Sequence, residues 1–322
     1  MRPDLDPAPK PASKPAPKPD LLQLCPLDAD LERALQARYQ VHRAFEPEGA
    51  AAQARCRAAV TGGHVGLPAH LAHALPALEI LAIYGVGYDK VDLDLARRQG
   101  YRVSNTPDVL TDDVADLAIG LTLAVLRQLV LADQHVRSGA WLHAKQPLGR
   151  RMSGRRIGIL GMGRIGQAIA RRLAPFTPHI GYVNRSDVAC DYQRFPDLAA
   201  LAGWCDVLIV AASASRATAN IVDAAVLQAL GQSGVLINVA RGSLVDEVAL
   251  TRALVDGVIG GAGLDVFADE PRVPQALLAL PNVVLAAHIG SATGETRQAM
   301  ADLVLANLDA HFAGQALPTA VL

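Results

Sequence analysis

The chain has 322 residues, of which 51% are hydrophobic and 19% charged, with 30 basic against 31 acidic side chains. That length suits about two domains, the composition is too apolar for a disordered protein, and a net charge of -1 gives no field for nucleic acid or an anionic membrane. Cys25, Cys56, Cys190 and Cys205 form no C-x-x-C pair and stand near no histidine at ligand spacing, so neither a metal site nor a disulfide framework is indicated. Reduced thiols in a cytoplasmic protein fit that pattern.

Residues 1–20 have no apolar run and carry proline at nearly every second position through PAPKPASKPAPKPD. They cannot be the core of a secretory signal and read as a disordered tail. From Leu21 short apolar runs alternate with helix-like segments. The runs are Leu21–Leu24, Ala58–Val60, Ile80–Tyr84, Ile157–Leu160, Ile180–Val183, Val207–Val210, Val235–Val239, Leu264–Phe267 and Val283–Ala286. Strands apolar on both faces, alternating with helices, predict an α/β protein with parallel sheets. A helix is expected over Ala29–Arg38. Two long ones are expected over Thr111–Leu131, capped by Thr111 with Asp112 and Asp113 at its positive end, and over Thr293–Phe312 with Met300, Val304 and Leu308 on one stripe. The longest apolar segment, Leu117–Leu126, is about half the ~20 residues that span a bilayer. The expected architecture is two doubly wound, Rossmann-like domains. A dinucleotide-binding domain, 106–288, is inserted into a substrate-binding domain made of 21–105 and 289–322.

The chemistry begins at Gly161-Met162-Gly163-Arg164-Ile165-Gly166, directly after the Ile157–Leu160 strand and before a helix. In that setting the three glycines serve the tight turn, the backbone's approach to a pyrophosphate and the close packing of helix on strand. The next strand ends Asn184-Arg185-Ser186, where NAD enzymes usually carry an acid for the ribose hydroxyls. A cation and a hydroxyl there suit a 2′-phosphate, so NADPH is expected to be preferred and NADH possible as a second cofactor. Asp187, one step on, is the residue that opposes this reading.

Arg241, Glu270 and His288 follow three successive predicted strands, at the sheet edge where open α/β sheets bind ligands. An arginine grips a carboxylate at two points, and a histidine paired to a glutamate carries a proton near neutral pH. This set can reduce a 2-keto acid. His64, in Thr61-Gly62-Gly63-His64, is read as a solvated loop residue lining a cleft kept open by the glycines. Leu27 is a candidate pocket-shaping residue, and Trp141 is either a core tryptophan or one that reaches a partner subunit.

The stretches Gly85–Asp92, Asn105–Asp116, Asn238–Glu247, Leu264–Pro271 and Ala287–Thr293 resemble the signatures of the D-isomer-specific 2-hydroxyacid dehydrogenases, over nearly the whole chain after the tail. Within that family the chain is most similar to the branch of glyoxylate/hydroxypyruvate and hydroxyphenylpyruvate reductases. The resemblance implies that Arg241 binds the substrate, Glu270 orients and charges His288, and His288 protonates the keto oxygen. It also implies that backbone amides at Val86 and Gly87, with Ser291, hold the substrate, and that Asp265 contacts the nicotinamide. The loop Ala212–Thr218 has the family's threonine, Thr218, without its proline, which leaves the cofactor contacts there open. The expectation is a homodimeric reductase of small 2-keto acids. A short NAD-dependent phosphoglycerate dehydrogenase and a non-catalytic, corepressor-like dinucleotide sensor are the alternatives.

Overall fold

A computed structural model describes residues 17–322. The tail expected over 1–20 lies outside the described residues as far as residue 16, and its last residues are not tail. The Pro19 carbonyl accepts the Gln40 amide at 2.9 Å, and Asp20 opens the first strand, with its carboxylate shared between His42 and Arg55.

The first sheet is built from β1 (Asp20–Gln23), β2 (Gln40–Arg43), β3 (Ala58–Gly62), β4 (Ile80–Tyr84) and β5 (Arg102–Ser104), with α1 (Ala29–Arg38), α2 (Pro47–Ala52), α3 (Ala69–His73) and α4 (Leu93–Gln99) between them. Its strands are all parallel, in the order β2-β1-β3-β4-β5. Leu21, Leu22, Ile80 and Leu81 are wholly buried, as a sheet covered on both faces requires. α4 shows how the local sequence stops and starts a helix: Asp92 accepts the Leu95 amide at its start, and Gly100, at φ 80°, ends it in the left-handed region.

After α5 (Thr111–Arg127) and α6 (Leu129–Arg137) comes the second sheet. It contains β6 (Ile157–Leu160), α7 (Arg164–Leu173), β7 (Ile180–Val183), β8 (Gln193–Arg194), α8 (Leu198–Trp204), β9 (Val207–Val210), α9 (Ala224–Leu230), β10 (Val235–Asn238), α10 (Glu247–Val255), β11 (Gly261–Leu264), α11 (Gln275–Leu278) and β12 (Val283–Leu285). Its seven strands are again parallel, in the order β12-β11-β10-β9-β6-β7-β8. α12 (Gly294–Phe312) then returns to the first sheet and packs on β4 and α1. Both sheets reverse their strand order once, at β1/β3 and at β6/β9, and such switch points open the crevices in which α/β proteins hold ligands.

Three expectations need correction. The single helix over Thr111–Leu131 is two helices, bent by 60° at Gln128, whose φ is 53°. The cause is tertiary: the Arg150 amide takes the Leu126 carbonyl at 2.7 Å, which removes an acceptor the continuing helix would need. Thr111 is not a cap, because the N-cap position is Leu110 and no side chain bonds there; Asp112 and Asp116 instead pair with Arg172 of α7. The strand placed at Leu264–Phe267 lies earlier, at Gly261–Leu264, so Glu270 sits in a loop well beyond the strand end. No single helix among the described residues is long and apolar enough to cross a membrane.

The chain passes between the two sheets twice, from β5 to α5 and from β12 to α12. The two crossings touch. The Thr296 hydroxyl donates to the Val109 carbonyl at 3.2 Å, and the Thr293 hydroxyl donates to the Asp113 carboxylate. Beside them Thr319 donates to the Asn105 carbonyl at 2.6 Å, and Val321 pairs with Val103 at the edge of β5.

Candidate active site

The loops that leave the C-terminal strand ends of both sheets face one cleft of about 960 Å³. Leu27, Gly63, His64, Val86 and Gly87 reach it from the first sheet, and Arg164, Ile165, Arg241, Asp265, Glu270, His288 and Ser291 from the second.

His288 is fixed by its neighbours. Its φ of 54° is costly for a residue with a Cβ, and Asp265 at the end of β11 holds the backbone there. The Asp265 carbonyl accepts the His288 amide at 2.8 Å, and its two carboxylate oxygens accept the Ile289 amide at 2.7 Å and the Gly290 amide at 3.0 Å. Asp265 is fully buried. That burial pushes its carboxyl above the usual range, and the two amides only partly offset the rise. His288 Nδ1 lies 2.7 Å from Glu270 Oε2, while Glu270 Oε1 accepts the Phe267 amide at 3.0 Å. Burial raises the Glu270 carboxyl, but the His288 and Phe267 hydrogen bonds and the Arg241 charge together outweigh it and hold the group below the ordinary glutamate value. An ionised carboxylate can only accept, so Nδ1 carries a proton and Nε2 is left for a ligand.

Arg241 follows β10. Its Nη1 donates to the Ala240 carbonyl at 2.8 Å and its Nε to Asp89 at 3.3 Å. The guanidinium lies against Gly87, where a Cβ would fall 1.7 Å from Nη2. A side chain there would displace the guanidinium from this position. The Val86 carbonyl accepts from Asn105 at 2.8 Å, which orients the 86–87 peptide toward the same place. Asp89 and Asn105 are site residues that sequence reasoning passed over, because their partners lie on other elements.

The turn after β6 fits a dinucleotide. Gly161 has φ 95°, and a Cβ on it would meet Ala212 Cα at 2.5 Å; a Cβ on Gly166 would meet the Gly161 carbonyl at 2.0 Å; at Gly163 nothing lies within 4 Å. Two glycines are thus demanded by packing, and the third leaves open space at the α7 N-terminus, which favours phosphate. Arg164 in this turn pairs with Asp108 at 2.7 Å. In the same turn the Met162 side chain is wholly buried and its amide donates to Asn184 Oδ1 at 3.0 Å.

That bond also redefines the end of β7. Asn184 braces the glycine turn, and its Nδ2 donates to the Ser186 carbonyl at 2.9 Å and to its hydroxyl at 3.3 Å. Arg185 and Ser186 are exposed. Asp187 is paired with Arg194 of β8, whose Nη2 also donates to the Asn184 carbonyl at 3.3 Å. Arg194 escaped the sequence reading because an exposed two-residue edge strand has no apolar signal. Thr218 does not line the cleft: its hydroxyl accepts the Ser215 amide at 2.8 Å, and Ser213 and Ala214 of the same loop face the ligand space instead.

His64 is exposed and lines the cleft, as expected of a solvated loop residue, and its ring centroid lies 6.3 Å from that of His288, edge to face. Trp141 is not a core residue, being 67% exposed.

Comparison with known proteins agrees with this geometry. The D-isomer specific 2-hydroxyacid dehydrogenase NAD binding domain profile matches residues 119–290. The chain is 47% identical to glyoxylate/hydroxypyruvate reductase A of Arabidopsis thaliana, with 94% of this chain and 98% of that protein covered. It is 48% identical to hydroxyphenylpyruvate reductase of Plectranthus scutellarioides, again with 94% and 98% covered. The crystal structure of an NADPH-dependent glyoxylate/hydroxypyruvate reductase of Sinorhizobium meliloti, in complex with NADP and malonate, superposes with a TM-score of 0.89 at 44% identity over 94% of this chain and 97% of that one. This chain belongs to the D-isomer-specific 2-hydroxyacid dehydrogenases.

Proposed function

We propose that the chain reduces small 2-keto acids, glyoxylate and hydroxypyruvate among them, to D-2-hydroxy acids with NADPH in preference to NADH. One observation carries the reading: a carboxylate-paired histidine and an arginine laid on a glycine peptide line one cleft. The seven-stranded half, 106–288, serves the dinucleotide, and the five-stranded half with α12 serves the substrate. A sensor has no use for the His288–Glu270 pair, and neither alternative reading is favoured by the relatives.

Bound in the cleft, the nicotinamide cofactor supplies a hydride to the keto carbon. Arg241 and the amides of Val86 and Gly87 hold the substrate carboxylate, with Ser291 beside them. His288 Nε2 donates its proton to the keto oxygen as negative charge grows there, which lowers the barrier only because the imidazolium is already positioned. Glu270 balances the imidazolium before transfer and holds the neutral ring after it. Asp265 fixes the loop that carries His288 and stands beside the nicotinamide end of the cleft. The proton on the product hydroxyl comes from His288, which is recharged from solvent. At the adenosine end Arg185 and Ser186 receive the 2′-phosphate, with Arg194 keeping Asp187 engaged. We read the working form as a homodimer, and the four free thiols, three of them buried, suit the cytoplasm. Oxidation of NADPH and of NADH, followed with glyoxylate, hydroxypyruvate, hydroxyphenylpyruvate and pyruvate, tests the proposal. Turnover with none of them overturns it.

A further inference from the structure

His64 is the one imidazole in the cleft besides His288, and the residues around it give it a different chemistry. Thr61–Gly62 close β3, and the chain then turns so that the ring folds back over Gly62, where a Cβ would sit 2.9 Å from His64 Nδ1. The adjacent Gly63 runs backbone to backbone with Gly87: a Cβ on Gly63 would lie 2.9 Å from the Gly87 carbonyl and 3.6 Å from Arg241 Nη2. The loop that carries His64 is therefore the wall beside the carboxylate grip, and its ring stands 6.3 Å from that of His288.

The charges facing His64 are those of His288, Glu270, Lys90 and Arg241. The ring is exposed to solvent; its partial desolvation by the cleft wall, and then His288, lower its pKa from the ordinary histidine value, with Lys90 and Arg241 adding to the fall and Glu270 opposing it. Of the two rings only His288 has a carboxylate in contact, so the positive charge belongs there. His64 makes no hydrogen bond to any described residue. A neutral imidazole offers one N–H and one lone pair on different ring nitrogens, and a hydroxyl group, being both donor and acceptor, pairs with whichever nitrogen faces it.

We propose that His64 selects 2-keto acids bearing a hydroxyl on C3 by hydrogen bonding to that hydroxyl. The inference rests on the function proposed above. With the carboxylate at Arg241 and the keto oxygen at His288, the group left to face the β3 loop is the C3 substituent. Hydroxypyruvate and pyruvate differ only in this hydroxyl, so the ratio of their kcat/KM values isolates it.

His64→Ala and His64→Phe are expected to lower that ratio by about 3- to 10-fold, the loss of one neutral hydrogen bond. His64→Asn, which keeps a donor and an acceptor, is expected to restore part of it. A structural or electrostatic role for His64 would change both substrates alike and leave the ratio where it was; an unchanged ratio in the alanine and phenylalanine variants overturns the inference. Binding of D-glycerate and D-lactate to the protein loaded with oxidised cofactor, measured by calorimetry, reads the same hydroxyl without turnover. A wild type that binds D-glycerate no more tightly than D-lactate also overturns it. A wild type that reduces no keto acid overturns the proposed function, and the glycerate-to-lactate binding ratio then decides the role of His64 by itself.

Discussion

Glu270 and His288 meet through a single 2.7 Å contact, Oε2 to Nδ1, and the second Glu270 oxygen is tied to the Phe267 amide at 3.0 Å. The carboxylate is thus oriented by the backbone before it orients the ring. His288→Ala is expected to lower kcat by about 10² to 10⁴ while the NADPH dissociation constant changes little. Single-turnover rates and cofactor titration check this, and a variant that keeps a third of the wild-type rate contradicts the assigned role.

Glu270→Gln keeps the shape of the pair and removes its charge. Reduction needs a protonated His288, and a neutral partner favours that form less, so the alkaline limb of the kcat/KM profile is expected to move to lower pH. The acid side should behave differently. Glu270 is held below the ordinary value of ~4.3, so what it contributes is fully present above that pH and is lost only as pH falls through the lower folded value. Profiles of wild type and variant should therefore coincide in shape on the acid side above about pH 5, and a variant whose acid limb shifts there would show that Glu270 titrates differently.

Asp265→Asn replaces one of two acceptors by a donor, opposite the Ile289 or the Gly290 amide. A buried amide left without a partner costs about 1–3 kcal/mol, and the left-handed backbone of His288 loses its support. The expected result is a lower midpoint of thermal unfolding together with a fall in kcat larger than the change in KM. Retention of both wild-type values would mean that the loop is held by something else.

Arg185→Ala is expected to reduce the ratio of kcat/KM for NADPH over NADH by roughly tenfold, the low end for a charge-assisted bond at an exposed, salt-screened position. Asp187 is paired with Arg194 and is therefore expected not to reverse the preference. Arg194→Ala should therefore also lower the ratio, by freeing a carboxylate near the phosphate. A wild type that prefers NADH would sink both statements.

α6 buries none of its residues, and Leu129, Val130, Val136, Trp141, Leu142 and Leu148 on it and after it are exposed. Exposed apolar residues of this kind are expected to be covered by association. Sedimentation at micromolar concentration is expected to show a dimer, and Val136→Asp combined with Leu148→Asp a monomer. Charged variants that sediment as the wild type does would place the interface elsewhere.

How much of this was legible in the sequence depended on whether a signal was local. Ile157–Leu160 and Val207–Val210 declare themselves as strands because a sheet covered on both faces leaves no polar position. Gln40–Arg43 and Gln193–Arg194 are edge strands with half-buried or exposed side chains, and nothing apolar marks them. Gly261–Leu264 hides behind its glycines, one of which would set a Cβ 2.9 Å from Ile237 Cδ1 and 3.1 Å from Leu121 Cβ of α5. The break at Gln128 comes from the Arg150 amide, which no local pattern could announce. In the site, Arg241 and His288 stand out because they follow strands closely. His64 was legible as a solvated residue at the cleft but its nearness to His288 was not, because the two are brought together only by the meeting of the two sheets, and the same is true of Asp89 beside Arg241.

The two crossings between the sheets run side by side, fastened to each other through Thr296 and Val109 and through Thr293 and Asp113. These fastenings oppose sliding and twisting of the two halves more than a rotation about the paired crossings, so rotation is the relative motion we expect. The width of the cleft is then expected to behave as one coordinate, with the distance between Arg241 and its partners on the first sheet changing together with that between His64 and His288. Substitutions at Thr293 or Thr296 should therefore alter every substrate's access by a common factor, leaving selectivity to residues that meet the ligand.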